Sequence, residues 1–488
     1  MIEKEKLEKL AGASNVTYDR AKLDEYSRDI SFVNTVRPEC VVKPTSAKIV
    51  QQLIKLANTT STPLVPVSSG GPHFRGDTVP SIGGAVIVDM SKMNKIINVD
   101  RARRVAMVEP GVTFGELIAA ATKEGIRLNL PLLPKKSKTV IGSLLEREPV
   151  IMPKYQWDIS DPLACVEVIF GSGDEFRTGQ AAGPGTVAQQ WKVGGVQKAP
   201  YGPGVASLHR IIQGAQGTMG IVTWASMRCE LIPNVEEPFV VGADNYTDLL
   251  ELASWLVRLR MANECFILNS TNLAAIFAKK WPKDYQALKD SLPAWILFYN
   301  VAGYEYFPEE RVSSYISDIT DITKRMGLTA TKSVGGVSAN EILKTVQQPS
   351  EEPYWKLRYK GGCEDIMFLT INDKLECQVS AMYDTVKKAG YPSSDMGVYI
   401  QPIVQGTGVH CEFNLFYDPA NESEVSRVKN LTNSAVKALL ANGAFFSRPY
   451  GENSRVIMNR DAATLSVLNK LKKMFDPNYI MNPGKVCF

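Results

Sequence analysis

At 488 residues the chain is long enough for two or three domains with sizeable cores. Its 44% hydrophobic and 22% charged content is that of an ordinary soluble globular protein, and a net charge of +4 at this length says little about partners. No basic run carries interleaved aromatics, which argues against nucleic-acid binding. The start MIEKEKLEKLAGA is charged and amphipathic, unlike a secretory signal, and no stretch approaches the apolar length of a membrane span. The eight cysteines (40, 165, 229, 265, 363, 377, 411 and 487) form no CxxC pair, and there are three histidines in all. Iron–sulfur and structural zinc sites are therefore not expected, metal ligands are expected to be none, and free thiols point to the cytoplasm.

Residues 39–42 read as a strand, and Pro44-Thr45 as the cap of a helix whose apolar face is Ile49, Val50, Leu53, Ile54 and Ala57. Leu64, Val65 and Val67 form a short apolar strand that runs into Ser68-Ser69-Gly70-Gly71. Glycines without Cβ let a main chain approach a ligand, and successive free amides suit a pyrophosphate; an ordinary turn is the alternative. Strands follow at 84–89, 93–99 and 104–109, then a helix over 114–125. Residues 164–179 read as a hairpin around Ser172-Gly173-Asp174, and 179–204 as a long surface excursion. Gly217-Thr218-Met219-Gly220 is a tight turn into a strand. A composition change at 233–238 marks a domain boundary. Beyond it, helices over 246–261, 308–326 and 375–389 mix with strands at 296–299, 397–403 and 410–416, an α+β layer with an antiparallel sheet. The last helix spans 461–475.

On strand 410–416, alternation places His410, Glu412 and Asn414 on one face and Cys411, Phe413 and Leu415 on the packed one. A histidine beside a carboxylate makes a base with its orienting partner, unless the polar face simply meets solvent.

Taken in order, PVSSGGPHFRGD (66–77), VEPGVTFGEL (108–117), IGSLLERE (141–148), VEVIFGSGDEFRTG (166–179), GTMGIVT (217–223) and DPNYIMNPGK (476–485) resemble the FAD-linked oxidase superfamily. The likeness is to its vanillyl-alcohol oxidase and para-cresol methylhydroxylase type, with glycolate and D-lactate dehydrogenases as further relatives. It runs over the chain from about residue 38. The resemblance implies an α+β fold: a two-subdomain FAD-binding domain of the para-cresol methylhydroxylase type plus an α+β substrate (cap) domain with an antiparallel sheet. The boundaries are 1–235 for FAD binding, 236–445 for the cap, and 446–488 for a segment returning to the FAD-binding domain.

By the same resemblance Val67, Ser68, Ser69, Gly70, Gly71, Pro72 and His73 would cradle the FAD pyrophosphate. Pro110, Gly111, Ile141, Gly142 and Ser143 would line the dinucleotide. Gly220, Ile221 and Val222 would hold the adenine end, and Asn482 and Lys485 would reach back to the flavin. Some relatives attach the flavin through a histidine directly after the glycine pair. Here Pro72 intervenes, and the segment 359–368 used by others holds no histidine, so non-covalent FAD is expected, with His73, Tyr359 and Cys363 as the residues to map otherwise.

The phenol-oxidising group has a Tyr-Arg pair where this chain has Ser447-Arg448. Arg448 would anchor a phenolate or clamp a carboxylate, with Tyr450 standing in for the missing tyrosine. His410, oriented by Glu412, would accept the substrate proton. The aspartate near the flavin would be Asp158, with Gln156 as the competing alignment. The implied reaction is hydride removal from a small aromatic alcohol or alkylphenol, with electrons passed to a cytochrome, electron-transfer flavoprotein or iron–sulfur subunit. The alternatives are a 2-hydroxy-acid dehydrogenase and a flavin-bearing relay subunit of a larger complex. A homodimer is the family expectation.

Overall fold

A computed structural model describes residues 2–153, 161–183, 185–194, 200, 202 and 207–488. Asp158, its competitor Gln156 and parts of the 179–204 excursion lie outside the described residues.

The N-terminal half is built on two sheets. In the first, Cys40–Val42, Val86–Asp89 and Leu64–Val67 run parallel in that order, with Val16–Thr17 antiparallel at the edge. All-apolar strands such as Cys40-Val41-Val42 suit a parallel sheet covered on both faces. Helix Ala47–Thr60 covers one face through Val50, Leu53, Ile54 and Ala57. Its cap is Ser46, whose side chain accepts from the Ile49 amide, rather than the Pro44-Thr45 pair: only the residue directly before the first turn reaches that N–H. The second sheet is antiparallel, ordered Ile96–Asp100, Val105–Val108, Gly220–Leu231, Leu163–Phe170, Glu175–Arg177, with Ile126–Leu128 also on Gly220–Leu231.

The cap is a seven-stranded antiparallel sheet with Ala330–Thr331 and then Val235–Ala243 at one side, ending on Met396–Ile403, Gly408–Tyr417 and Gly362–Thr370 at the other. Val409, Cys411, Phe413 and Leu415 pack into the larger core with helices Tyr246–Arg258, Asn372–Lys388 and Glu422–Ala441. The opposite face carries His410, Glu412 and Asn414, all buried, so it meets the rest of the protein rather than solvent. No helix among the described residues is long and apolar enough to cross a membrane.

The C-terminal segment packs back onto loops of the N-terminal half and ties them together. Lys472, at 0% side-chain exposure, bonds Asp476 at 2.5 Å and the carbonyls of Thr218 and Met481. Asp476 in turn accepts from the Ile480 and Met481 amides. Removing one member of such a pair leaves the other charged and buried. Lys472→Met is expected to cost about 3–5 kcal/mol, read as a lower midpoint in urea unfolding; an unchanged midpoint would show that the pair contributes no net stability.

Candidate active site and dinucleotide cleft

A cleft with about 1680 Å³ of empty space, part of it open to solvent, runs between the two N-terminal sheets and the polar face of the cap sheet. It begins where ligands of open α/β sheets sit, beyond the carboxyl end of a parallel strand, here Leu64–Val67. Ser68 and Ser69 spend their hydroxyls on Thr139, at 3.0 and 3.2 Å. Among the described residues, no backbone bond takes up their amides. A Cβ on Gly142, at the start of helix Val140–Leu145, would come within 2.8 Å of the Thr139 Oγ1 and 3.1 Å of both serine hydroxyls. Two loops thus meet at a point kept open by a missing side chain.

Of the residues expected to hold the dinucleotide, Val67, Ser68, Ser69, His73, Pro110, Ile141, Gly142, Gly220, Ile221 and Val222 line this cleft. The others stand behind it. Gly70 and Pro72 turn their carbonyls to Lys135 Nζ, at 2.5 and 2.6 Å, and Gly71 offers its own to Ser137 at 3.0 Å. Gly111 is needed for packing: a Cβ there would strike the carbonyls of Met90, Ser91 and Met93 within 2.9 Å. The Ser143 hydroxyl donates to Glu148 at 2.6 Å. Asn482 donates to the carbonyls of Asp77 and Gln216, and Lys485 to that of Gly76, so the terminal segment positions cleft loops instead of facing the cleft.

The cleft's far wall is charged and buried. Arg448 is 5% exposed, and its Nη1 has no hydrogen-bond partner. Burial, with Arg75 adding repulsion, pulls its pKa below the usual value. Arg75 pairs with Glu146, approaches Glu148 at 3.6 Å, and lies 5.2 Å over the Tyr450 ring. Lys138 bonds Glu146 at 2.6 Å. Burial pushes Glu148 up, but Lys138 and Arg75 outweigh it and bring the carboxyl down to about 2. Burial, with Lys138 nearby, lowers Lys135 to about 7, and burial lowers His73 to about 3, so His73 is neutral.

Lys356, on the short helix Trp355–Arg358, bridges Asp365 at 2.6 Å and Glu412 at 2.5 Å. Asn414 donates to both carboxylates at 2.7 Å and is itself held by Asn272. Burial raises Glu412, yet Lys356 and His410 outweigh it and hold the carboxyl well below its usual range. Glu412 lines the cleft and His410 does not. The histidine Nε2 stands 3.5 Å from Glu412, longer than an ordinary hydrogen bond, and burial lowers its pKa. Alternation identified the right face, but the order along it places the carboxylate at the cavity and the imidazole behind. Arg448, Tyr450 and Glu412 line one cleft together with Lys356, Asp365, Tyr354 and Tyr399, which motif reading missed. Only the pairing of Lys356 with two carboxylates identifies it, and that is not local in sequence.

The open Gly142 junction and the free serine amides fit an FAD pyrophosphate, and the apolar lining of Ile141, Met219 and Val222 fits a flat ring system. Gly142→Val is expected to yield folded protein purified with little flavin, measured as visible absorbance per chain; full loading would place the dinucleotide elsewhere.

A family model for an FAD binding domain matches residues 38–179, and one for the C-terminal domain of FAD linked oxidases matches 405–486. The flavoprotein subunit of 4-cresol dehydrogenase [hydroxylating] from Pseudomonas putida is 24% identical, over 99% of this chain and 94% of its own length. A D-lactate dehydrogenase from Anaerostipes hadrus is 21% identical, over 99% and 97%. The crystal structure of p-cresol methylhydroxylase with substrate bound superposes with a TM-score of 0.82 at 23% identity, over 99% of this chain and 96% of that one. The chain has the α+β fold of the para-cresol methylhydroxylase type, matches FAD-linked oxidases over residues 38–179 and 405–486, and is an FAD-dependent oxidoreductase.

Proposed function

We propose that the protein oxidises a small aromatic substrate bound through an anionic oxygen, an alkylphenol or a phenol-bearing aromatic alcohol, with FAD held non-covalently. The observation that carries this reading is the Arg448 guanidinium, buried with its Nη1 unpartnered in a cleft walled by Tyr354, Tyr399 and Tyr450. A buried cation with an unused donor calls for an anion, and aromatic walls suit a ring. When bound, FAD supplies the two-electron oxidant of the reaction.

Arg448 anchors the anionic oxygen, and Tyr450, fixed under Arg75, adds a donor beside it. With an alcohol substrate, Glu412 accepts the proton of the hydroxyl on the carbon that loses hydride; an alkylphenol held as its phenolate gives up hydride alone. The low pKa of Glu412 is no obstacle, because a hydroxyl becomes strongly acidic as its carbon loses hydride. Lys356 and Asn414 hold that carboxylate in place, and His410 is a positioning residue behind it. The electrons leave to a separate acceptor, in keeping with a relative named as a flavoprotein subunit.

For attachment, Tyr359 bonds Asp395 at 2.9 Å and stacks on Tyr285, and neither Tyr359 nor Cys363 lines the cleft. Of these three candidates, His73 alone lines the cleft. Acid precipitation is expected to release the yellow colour to the supernatant; colour kept in the pellet and lost in His73→Ala would overturn non-covalent binding.

A second reading, a 2-hydroxy-acid dehydrogenase, is favoured by the closeness of Arg75 to Arg448, since a carboxylate accepts two donors at once. Turnover of 4-hydroxybenzyl alcohol against D-lactate and glycolate with an artificial acceptor separates the two. The aromatic reading fails if only the hydroxy acids react.

A further inference from the structure

Behind the substrate wall lies a second pocket with about 590 Å³ of empty space, part of it open to solvent. It shares Phe74, Arg75, Asp365 and Tyr450 with the main cleft, so the two spaces adjoin. The Arg75–Tyr450 contact, at 5.2 Å, forms part of the partition between them. The outer rim includes Lys429 and Glu452, an ion pair at 3.6 Å whose side chains are 40% and 60% exposed. Gly451, at φ +57°, joins the rim to Tyr450.

The residues that would hold the dinucleotide line the same cleft as Arg448. A bound FAD would therefore take up the cleft's FAD-domain side and leave the Arg448 end to be reached from elsewhere. The second cavity abuts that end. Cations mark the route at falling exposure: Lys429 at the rim, Arg75 at 17% in the partition and Arg448 at 5% beyond it. The acids facing the route are answered. Glu452 pairs with Lys429, Asp365 with Lys356, and burial beside Asp365 lifts Glu364 to about 8, leaving it neutral near pH 7.

We propose that this second cavity is the passage by which substrate reaches Arg448, with the Arg75–Tyr450 contact as its gate. The proposal rests on the reading of Arg448 as the substrate anchor. A plug in a passage slows entry and exit alike, whereas damage to a binding site changes affinity. Asn433 lines the second cavity but not the main cleft.

The test is stopped-flow binding of 4-methylphenol, benzoate and benzyl alcohol to FAD-loaded protein, followed by perturbation of the flavin band. In Asn433→Trp, association and dissociation are both expected to slow by about tenfold with Kd unchanged. In Lys429→Glu, association of benzoate is expected to slow by several-fold to about tenfold at low salt, with benzyl alcohol unaffected. Unchanged association in Asn433→Trp, or a raised Kd with association intact, would overturn the passage. If the wild type binds benzoate and 4-methylphenol no better than benzyl alcohol, the anionic-substrate reading fails instead, and the benzyl alcohol rates in Asn433→Trp still decide the passage.

Discussion

Arg448→Met is expected to lower kcat/KM for the aromatic substrate by about two to three orders of magnitude while leaving the unfolding temperature of the ligand-free protein unchanged or higher. The two effects have one cause. In the free protein the guanidinium is buried, repelled by Arg75 and left with an unpartnered Nη1, so removing it relieves a desolvation cost. In the substrate complex the same group gains a charge-assisted bond in a site shielded from water, and losing one such partner costs about 3–4 kcal/mol, with each 1.4 kcal/mol worth about a factor of ten. Steady-state kinetics beside a thermal melt measure both. A melting temperature that falls along with activity would make Arg448 a structural residue whose partner is in the protein, not the substrate.

Lys356→Met is expected to destabilise the protein by about 3–5 kcal/mol and to reverse the acid side of its stability profile. In the wild type the folded-state pKa of Glu412 is depressed, so the stability it contributes is present above the unfolded carboxyl range and is lost as pH falls through the folded value. Without the ammonium, two carboxyls share one buried site 2.7 Å from the same Asn414 amide, and like charges so placed drive the pair upward. A raised carboxyl pKa has the opposite sign: stability is full at low pH and is lost as pH rises through the folded value. Melting temperature between about pH 4 and pH 8, spanning the ordinary carboxyl range, is expected to hold or rise with pH in the wild type and to fall in the variant. Parallel profiles would show that Lys356 does not govern the pair.

What could be read ahead of the structure follows from which interactions are local. A strand has period two, so HCEFNLF announced its own faces, and Cys411, Phe413 and Leu415 lie in the core as the alternation requires. The glycine-rich loop after Leu64–Val67 was recognisable because Gly70 and Gly71 have no role inside a strand. Residue type does not say where a backbone points, and Lys135 and Ser137, more than sixty residues on, turn those carbonyls away from the cleft. Lys356 could not be found at all: its partners Asp365 and Glu412 lie on neighbouring strands that pair only in the cap sheet. His410 and Glu412 were both identified, but how far each lies along a buried face depends on what packs against it. The terminal NPGK was expected to reach the flavin, whereas Asn482 and Lys485 spend their donors on the carbonyls of cleft loops.

The most direct measurement is anaerobic mixing of the FAD-loaded protein with 4-hydroxybenzyl alcohol in the absence of any acceptor, followed through the visible flavin band. The band is expected to bleach in a single turnover in the wild type and to bleach about a hundredfold more slowly in Arg448→Met at subsaturating substrate. A band unchanged by 4-hydroxybenzyl alcohol and by alkylphenols, yet bleached by D-lactate or glycolate, would contradict the aromatic assignment.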